Sequence, residues 1–243
     1  KYFRSKMENI LKPDDFVGIS FFIATMAMMA SSVFFFLERD SVLGKWKTSV
    51  TVAGLITGIA AVHYFYMRDV WVTTGQSPTV FRYVDWLLTV PLQIVEFYLI
   101  LSAIAIVPIA LFWRLLVYSL IMLIFGYLGE TNFIDVSLGF VIGMIAWFLI
   151  IYEIFFGEAS KINSSSSNEP CQSAFKALRL IVTIGWAIYP VGYFWGYLLE
   201  SANVNAVNII YNYADLINKT AFGIVIWAAA KKDSNRHELS NSL

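Results

Sequence analysis

Seven stretches of this chain are apolar enough to cross a membrane, and the last holds a lysine in its middle, in Ala214-Asp215-Leu216-Ile217-Asn218-Lys219. A crossing needs about 20 mainly apolar residues, and helices satisfy their own backbone hydrogen bonds inside lipid. The fold class is therefore an all-α membrane protein, a bundle of seven transmembrane helices. A free ammonium at membrane depth is expensive, so a lysine placed there is a functional-site candidate by default. Asp215 stands four residues earlier, one turn away on the same face. Two readings follow from that spacing. One is a buried ion pair; the other is a lysine converted to a Schiff base, whose protonated nitrogen needs a carboxylate counterion.

The spans fall at residues 16–37, 48–67, 79–100, 108–128, 134–155, 175–199 and 206–230. The third and fourth are divided only by Pro108 and Arg114, because 99–113 is almost wholly apolar. Residues 157–172, with the run Ser164–Ser167, read as a flexible polar loop. The expected organisation is an extracellular segment over 1–15, one seven-helix domain over 16–230 and a cytoplasmic tail over 231–243. With 58% hydrophobic and 14% charged residues, the chain is polytopic rather than soluble. A net charge of zero carries no nucleic-acid footprint. Cys171 is the sole cysteine, which excludes an intrachain disulfide and a CxxC metal site; it reads as an incidental thiol near a loop. No metal and no soluble substrate are expected. The chain opens at Lys1 rather than Met, so a targeting segment either has been removed or is not represented.

Seven spans put the termini on opposite sides. With the N-terminus outside, the inner segments carry Arg39, Lys45, Lys47, Arg114, Lys161, Lys176, Arg179, Lys231, Lys232 and Arg236. The outer segments carry Lys1, Arg4, Lys6, Lys12 and Arg68. That excess of inner basic residues favours N-out and C-in, against the basic cluster at the N-terminus.

The third span carries a polar stripe. Arg82, Asp85, Thr89, Gln93 and Glu96 face one side of a helix. Asp85 and Glu96 are eleven residues apart, close to three turns and about 16 Å along the axis. Carboxylates so separated make a poor ion pair but suit a relay with one station on each side of a central group. In the N-out orientation Asp85 and Asp215 lie in the outer half, Lys219 one turn deeper, and Glu96 on the inner side. The bland alternative makes Glu96 a hydrated residue near the inner interface. His63, about four residues before the outer end of the second span, is expected near the depth of Asp85, where it would tune that acid. In the sixth span Trp186, Tyr189 and Tyr193 form an aromatic stripe kinked by Pro190. Such a stripe is usually core packing, but with Trp86 and Trp147 it could box a planar polyene.

These motifs carry a resemblance. Arg82-Tyr83-Val84-Asp85-Trp86-Leu87-Leu88-Thr89-Val90-Pro91-Leu92, Trp186-Ala187-Ile188-Tyr189-Pro190 and Asp215-Leu216-Ile217-Asn218-Lys219 resemble the microbial rhodopsins, most closely the proteorhodopsins, over all seven spans. The resemblance implies all-trans retinal bound to Lys219 as a protonated Schiff base, and light-driven outward proton pumping across a bacterial inner membrane. It assigns Asp85 as counterion and proton acceptor, Asp215 as second counterion, Glu96 as proton donor and Arg82 as the arginine below the counterions. It pairs His63 with the acceptor. Gln93 falls at the colour-tuning position, where glutamine resembles the blue-absorbing members. Trp86, Thr89, Trp147, Trp186, Tyr189, Pro190 and Tyr211 complete the expected chromophore site. Glu200 stands alone near the outer ends of the last two spans, so no paired release group is implied.

The rival readings are a sensory rhodopsin signalling to a membrane partner, and a receptor or transporter in which Lys219 and Asp215 form a plain ion pair. No enzymatic activity is expected. The partners expected are membrane lipid, protons and further copies of the chain in a ring. That ring is implied by the resemblance, and Glu38-Arg39-Asp40 could supply contacts between copies.

Overall fold

In the computed structural model the described residues are 11–166, 168–199, 201 and 203–241; Lys1, Arg4, Lys6 and Glu200 lie outside them. The long helices are α1 (Phe16–Glu38), α2 (Gly44–Thr74), α3 (Thr79–Ser102), α4 (Ile109–Glu130), α5 (Val136–Phe155), α6 (Glu169–Leu198) and α7 (Val204–Asn241). Six of them are long and apolar enough to cross a membrane. The seventh, α7, is the one diluted by Asp215 and Lys219. Neighbours in sequence pack side by side from α1 to α6, and α7 closes the ring against α1, α2 and α6.

The bundle is apolar outside and polar within. Phe22, Met26, Val33, Leu88, Val141 and Ile217 face outward, whereas Arg82, Asp85, Thr89, Gln93 and Glu96 are all buried on α3. Their common face points inward, as the sequence pattern requires, because lipid leaves no other place for it.

Helix starts and stops are local. Asp15 accepts the Gly18 N–H at 2.8 Å, and Asp135 caps α5 through the Leu138 N–H at 2.9 Å. Gly75 ends α2 at φ 66°, a left-handed conformation that favours glycine. The weakly punctuated 99–113 stretch divides at Ala103–Val107, with Pro108 capping α4.

Two expectations need correction, on residues 157–172 and on His63. Residues 157–172 are not a loop throughout: Glu158–Ser165 is helical. Glu153 accepts the Ala159 N–H at 3.2 Å, and Arg114 bridges Glu153 and Glu158, which fixes that short helix. Residues 231–241 continue α7 as helix, unbroken to Asn241. Cys171 lies near a loop as expected, three residues past the N-cap Asn168, and is fully buried, with Sγ 3.4 Å from the Ile100 carbonyl. Finally, α2 continues to Thr74, so His63 lies eleven residues before its end rather than four.

α6 is irregular. Two π-helical turns, Ile181–Gly185 and Phe194–Leu198, flank the α-helical Ile188–Tyr193. The Trp186 N–H reaches back five residues to Ile181 at 3.0 Å. Pro190 brings no N–H of its own, so the chain bends here. Backbone groups freed by the wide turn find side chains: Trp147 Nε1 donates to the Val182 carbonyl and Asn218 Nδ2 to the Gly185 carbonyl, each at 3.0 Å. Gly185 permits that approach, because a Cβ there would collide with the Asn218 amide.

Candidate functional site: a lysine between two carboxylates

Lys219 lies in the middle of α7 and is 2% exposed, with Asp85 fully buried beside it. Its Nζ donates to Asp85 Oδ2 at 2.6 Å and to Asp215 Oδ2 at 3.1 Å. One carboxylate comes from α3 and the other from one turn back on α7. Their surroundings differ. Asp215 also accepts from Tyr64 and Tyr189 at 2.5 Å each and from Trp86 Nε1 at 3.0 Å. Among the described residues Asp85 Oδ1 accepts no hydrogen bond, with His63 Nδ1 3.8 Å away. His63 instead bonds the Ile59 carbonyl at 2.9 Å. It stands at the depth of Asp85 as expected, near enough to act through charge but not through a hydrogen bond.

Arg82, one turn before Asp85, contacts neither carboxylate by hydrogen bond. It donates to the Tyr64 hydroxyl at 3.1 Å and to Asn208 and Asn212 at 3.0 Å each. Tyr64 thus links the guanidinium to Asp215. Sequence reasoning missed Tyr64, Asn208 and Asn212. A signal for the asparagines was present, since Asn208, Asn212, Asp215 and Lys219 follow at intervals of four, three and four on one helix face. Tyr64 had none beyond its place next to His63.

Beside the lysine lies a cavity walled by Trp86, Gln93, Trp147, Trp186, Tyr189, Pro190 and Tyr211 among others, from α3 to α7. Lys219, Asp215, Asn218, Gln93 and Glu130 carry the charged and amide groups on the wall, and the rest is aromatic, aliphatic, proline or glycine. Trp86 meets Tyr189 and Tyr211 edge-on with centroids 5.1 and 5.9 Å apart. Gln93 Nε2 is buried without a partner among the described residues. Thr89, expected on this wall, is not part of it; its hydroxyl folds back onto the Asp85 carbonyl at 2.9 Å. Glu130 was not anticipated, and accepts from the Tyr83 hydroxyl at 2.7 Å.

Glu96 is fully buried, so it is not a hydrated interfacial residue. Among the described residues neither carboxyl oxygen has a partner at hydrogen-bond geometry, and Ser49 is a polar side chain beside it.

Fold and site together define a seven-helix membrane protein built around a lysine held between two acids. Residues 15–233 match the family described as bacteriorhodopsin-like protein. The green-light absorbing proteorhodopsin of Gamma-proteobacterium EBAC31A08 is 53% identical over 226 residues, 93% of this chain and 90% of that protein. The blue-light absorbing proteorhodopsin of Gamma-proteobacterium Hot 75m4 is also 53% identical, over 91% and 88%. The crystal structure of a blue light-absorbing proteorhodopsin from Med12 superposes with a TM-score of 0.79 at 57% identity, covering 90% of this chain and all of that one. The chain belongs to the bacteriorhodopsin-like family, on its proteorhodopsin branch.

Proposed function

We propose that this protein is a light-driven outward proton pump that carries all-trans retinal on Lys219 as a protonated Schiff base. The observation that carries the reading is the position of Lys219 Nζ, at the wall of an aromatic cavity and within hydrogen-bond reach of both Asp85 and Asp215. A long apolar polyene suits that wall, and the Gln93 amide, whose Nε2 has no partner among the described residues, is one of the polar groups placed along it. When bound, retinal supplies light absorption and a change of shape and charge next to the lysine nitrogen.

The chain's own residues supply the vectorial path. Asp85 takes the proton, because its Oδ1 is unengaged while its Oδ2 touches the lysine. Asp215 holds position as the second counterion, its oxygens already engaged by Tyr64, Tyr189 and Trp86. Arg82, tied to Tyr64, holds positive charge on the far side of that pair. Glu96 returns a proton from the opposite side. The excess of basic residues on the other face sets the N-terminus outside, so net transfer is outward across a bacterial plasma membrane. No covalent product is made. A buried carboxyl at Glu96 favours the pump over a photosensor, which needs no donor. Gln93 makes the pigment blue-absorbing; the two relatives at equal identity differ in colour, so overall similarity does not choose between them.

Copies of the chain associate as a ring in this reading, on the strength of the family resemblance. Glu38 and Asp40 are engaged within the protomer, by Trp227 and Lys47, and so are weaker candidates for contacts between copies. A protein that pumps as a strict monomer in lipid overturns the ring. The chromophore assignment is tested with Lys219→Ala, which should stay colourless when all-trans retinal is added. A native visible band in that variant, without added amine, contradicts it.

A further inference from the structure

If the pump reading holds, Glu96 must be reloaded from the inner side in every cycle, yet its route there is closed. Ile100, Leu101, Cys171 and Phe175, next toward that end, are all fully buried. The continuation of α7 past residue 230 supplies the closure. Asp233 accepts from Trp46 Nε1 at 2.8 Å and from Asn168 Nδ2 at 2.7 Å, and pairs with Lys45 Nζ at 2.7 Å. One side chain thereby joins the first turn of α2, the N-cap of α6 and the end of α7. Burial opposes charge on Asp233, but the hydrogen bonds from Lys45, Trp46 and Asn168 outweigh it and hold its carboxyl below the usual range. The neighbouring charges Glu169, Lys232 and Arg236 pair with one another on the exposed rim.

On one side of this cluster a polar cavity opens between Lys45, Ala103, Ile162, Ser165 and Asn168, so two of its wall residues are Asp233's own partners. On the other side stands Trp46, fully buried, and one turn deeper on the same face of α2 stands Ser49, beside Glu96. The order from cavity to donor is therefore Lys45 and Asn168, Asp233, Trp46, Ser49, Glu96.

We propose that Asp233 is the positioning residue of a clasp over the inner entrance to Glu96, and that a proton reaches Glu96 only when the bonds from Asp233 to Trp46 and Asn168 part. Asp233 carries no proton itself in this scheme; it sets how often the route opens. The inference rests on the pump reading for its purpose and on the three contacts of Asp233 for its geometry.

Cys171 reports on the clasp without any engineering. It is the sole cysteine, fully buried, and its N–H is bonded at 2.9 Å to the same Asn168 that reaches Asp233. Retinal-loaded protein in lipid nanodiscs is treated with a water-soluble methanethiosulfonate in darkness and under continuous light. The wild type should label slowly in darkness and faster in light. Asp233→Asn should label about tenfold faster in darkness, the response to losing about 1.4 kcal/mol of closure. It should also shorten the time for Glu96 to recover its proton, with the visible band unmoved. Trp46→Phe, which removes the indole N–H together with part of the buried ring volume, should change both readouts in the same direction and serves if Asp233→Asn does not fold. Unchanged dark labelling together with unchanged or slower recovery overturns the clasp while pumping persists. If light moves no protons at all, the pump reading falls, and the proposed role in reloading Glu96 falls with it.

Discussion

Asp85 Oδ2 approaches Lys219 Nζ to 2.6 Å while Asp85 Oδ1 accepts no hydrogen bond among the described residues. Asp215, 3.1 Å from the same nitrogen, has its oxygens shared among Tyr64, Tyr189 and Trp86. A carboxylate saturated by donors favours its charged form, whereas one with open lone pairs can receive a proton. In the proposed pump, this difference in donors is what assigns proton acceptance to Asp85 and the fixed counterion to Asp215. Asp85→Asn should therefore abolish transport and shift the band red, leaving the chromophore attached. Retained pumping in that variant, measured as light-driven external acidification, would show that Asp215 can serve as acceptor.

Tyr64 couples Arg82 to Asp215 and is fully buried. Tyr64→Phe removes the hydroxyl and leaves a buried guanidinium N–H and a carboxylate oxygen each short of a partner. A stability loss of about 1–3 kcal/mol is expected, with a displaced acid titration of the visible band. Thermal unfolding and spectra against pH check both; an unaltered titration would mean that Tyr64 only packs.

Glu96→Gln should leave the colour nearly unchanged, since Glu96 stands about 16 Å from Asp85 along the helix. Reprotonation from the inner side should slow by about 100-fold, the scale of one lost positioned acid. Flash photolysis measures it, and unaltered decay assigns the donor's role to another group.

Gln93→Leu should move absorption toward the green with pumping retained, because it removes a dipole at the cavity wall at similar bulk. Spectra belong at a pH well above the acceptor's pKa, as protonating Asp85 shifts the band red by itself. An unchanged maximum, or a blue shift, contradicts the tuning role.

Much of this site was legible because lipid permits few arrangements. The stripe from Arg82 to Glu96 and the pair Asp215–Lys219 can only face inward, so their convergence follows once seven spans are recognised. The aromatic residues Trp86, Trp147, Trp186, Tyr189 and Tyr211 do share one cavity, which helical spacing permitted but did not require. What escaped was set by contacts distant in sequence. Tyr64 reaches Asp215 across 151 positions, and Trp46 reaches Asp233 across 187. The 157–172 segment read as a loop because its serines and asparagines favour turns, while its helix is held from outside by Arg114 and Glu153. Thr89 shows the limit of the face argument: its position on the helix was right, but its short side chain bonds its own backbone rather than the cavity.

The central claim, that light drives protons outward through Lys219, is tested most directly by the pH of an unbuffered suspension of expressing cells supplied with all-trans retinal. Illumination should acidify the medium, and the change should vanish with a protonophore and in Lys219→Ala. No light-dependent change in wild-type cells that carry the visible band, or an alkalinisation, would contradict the account.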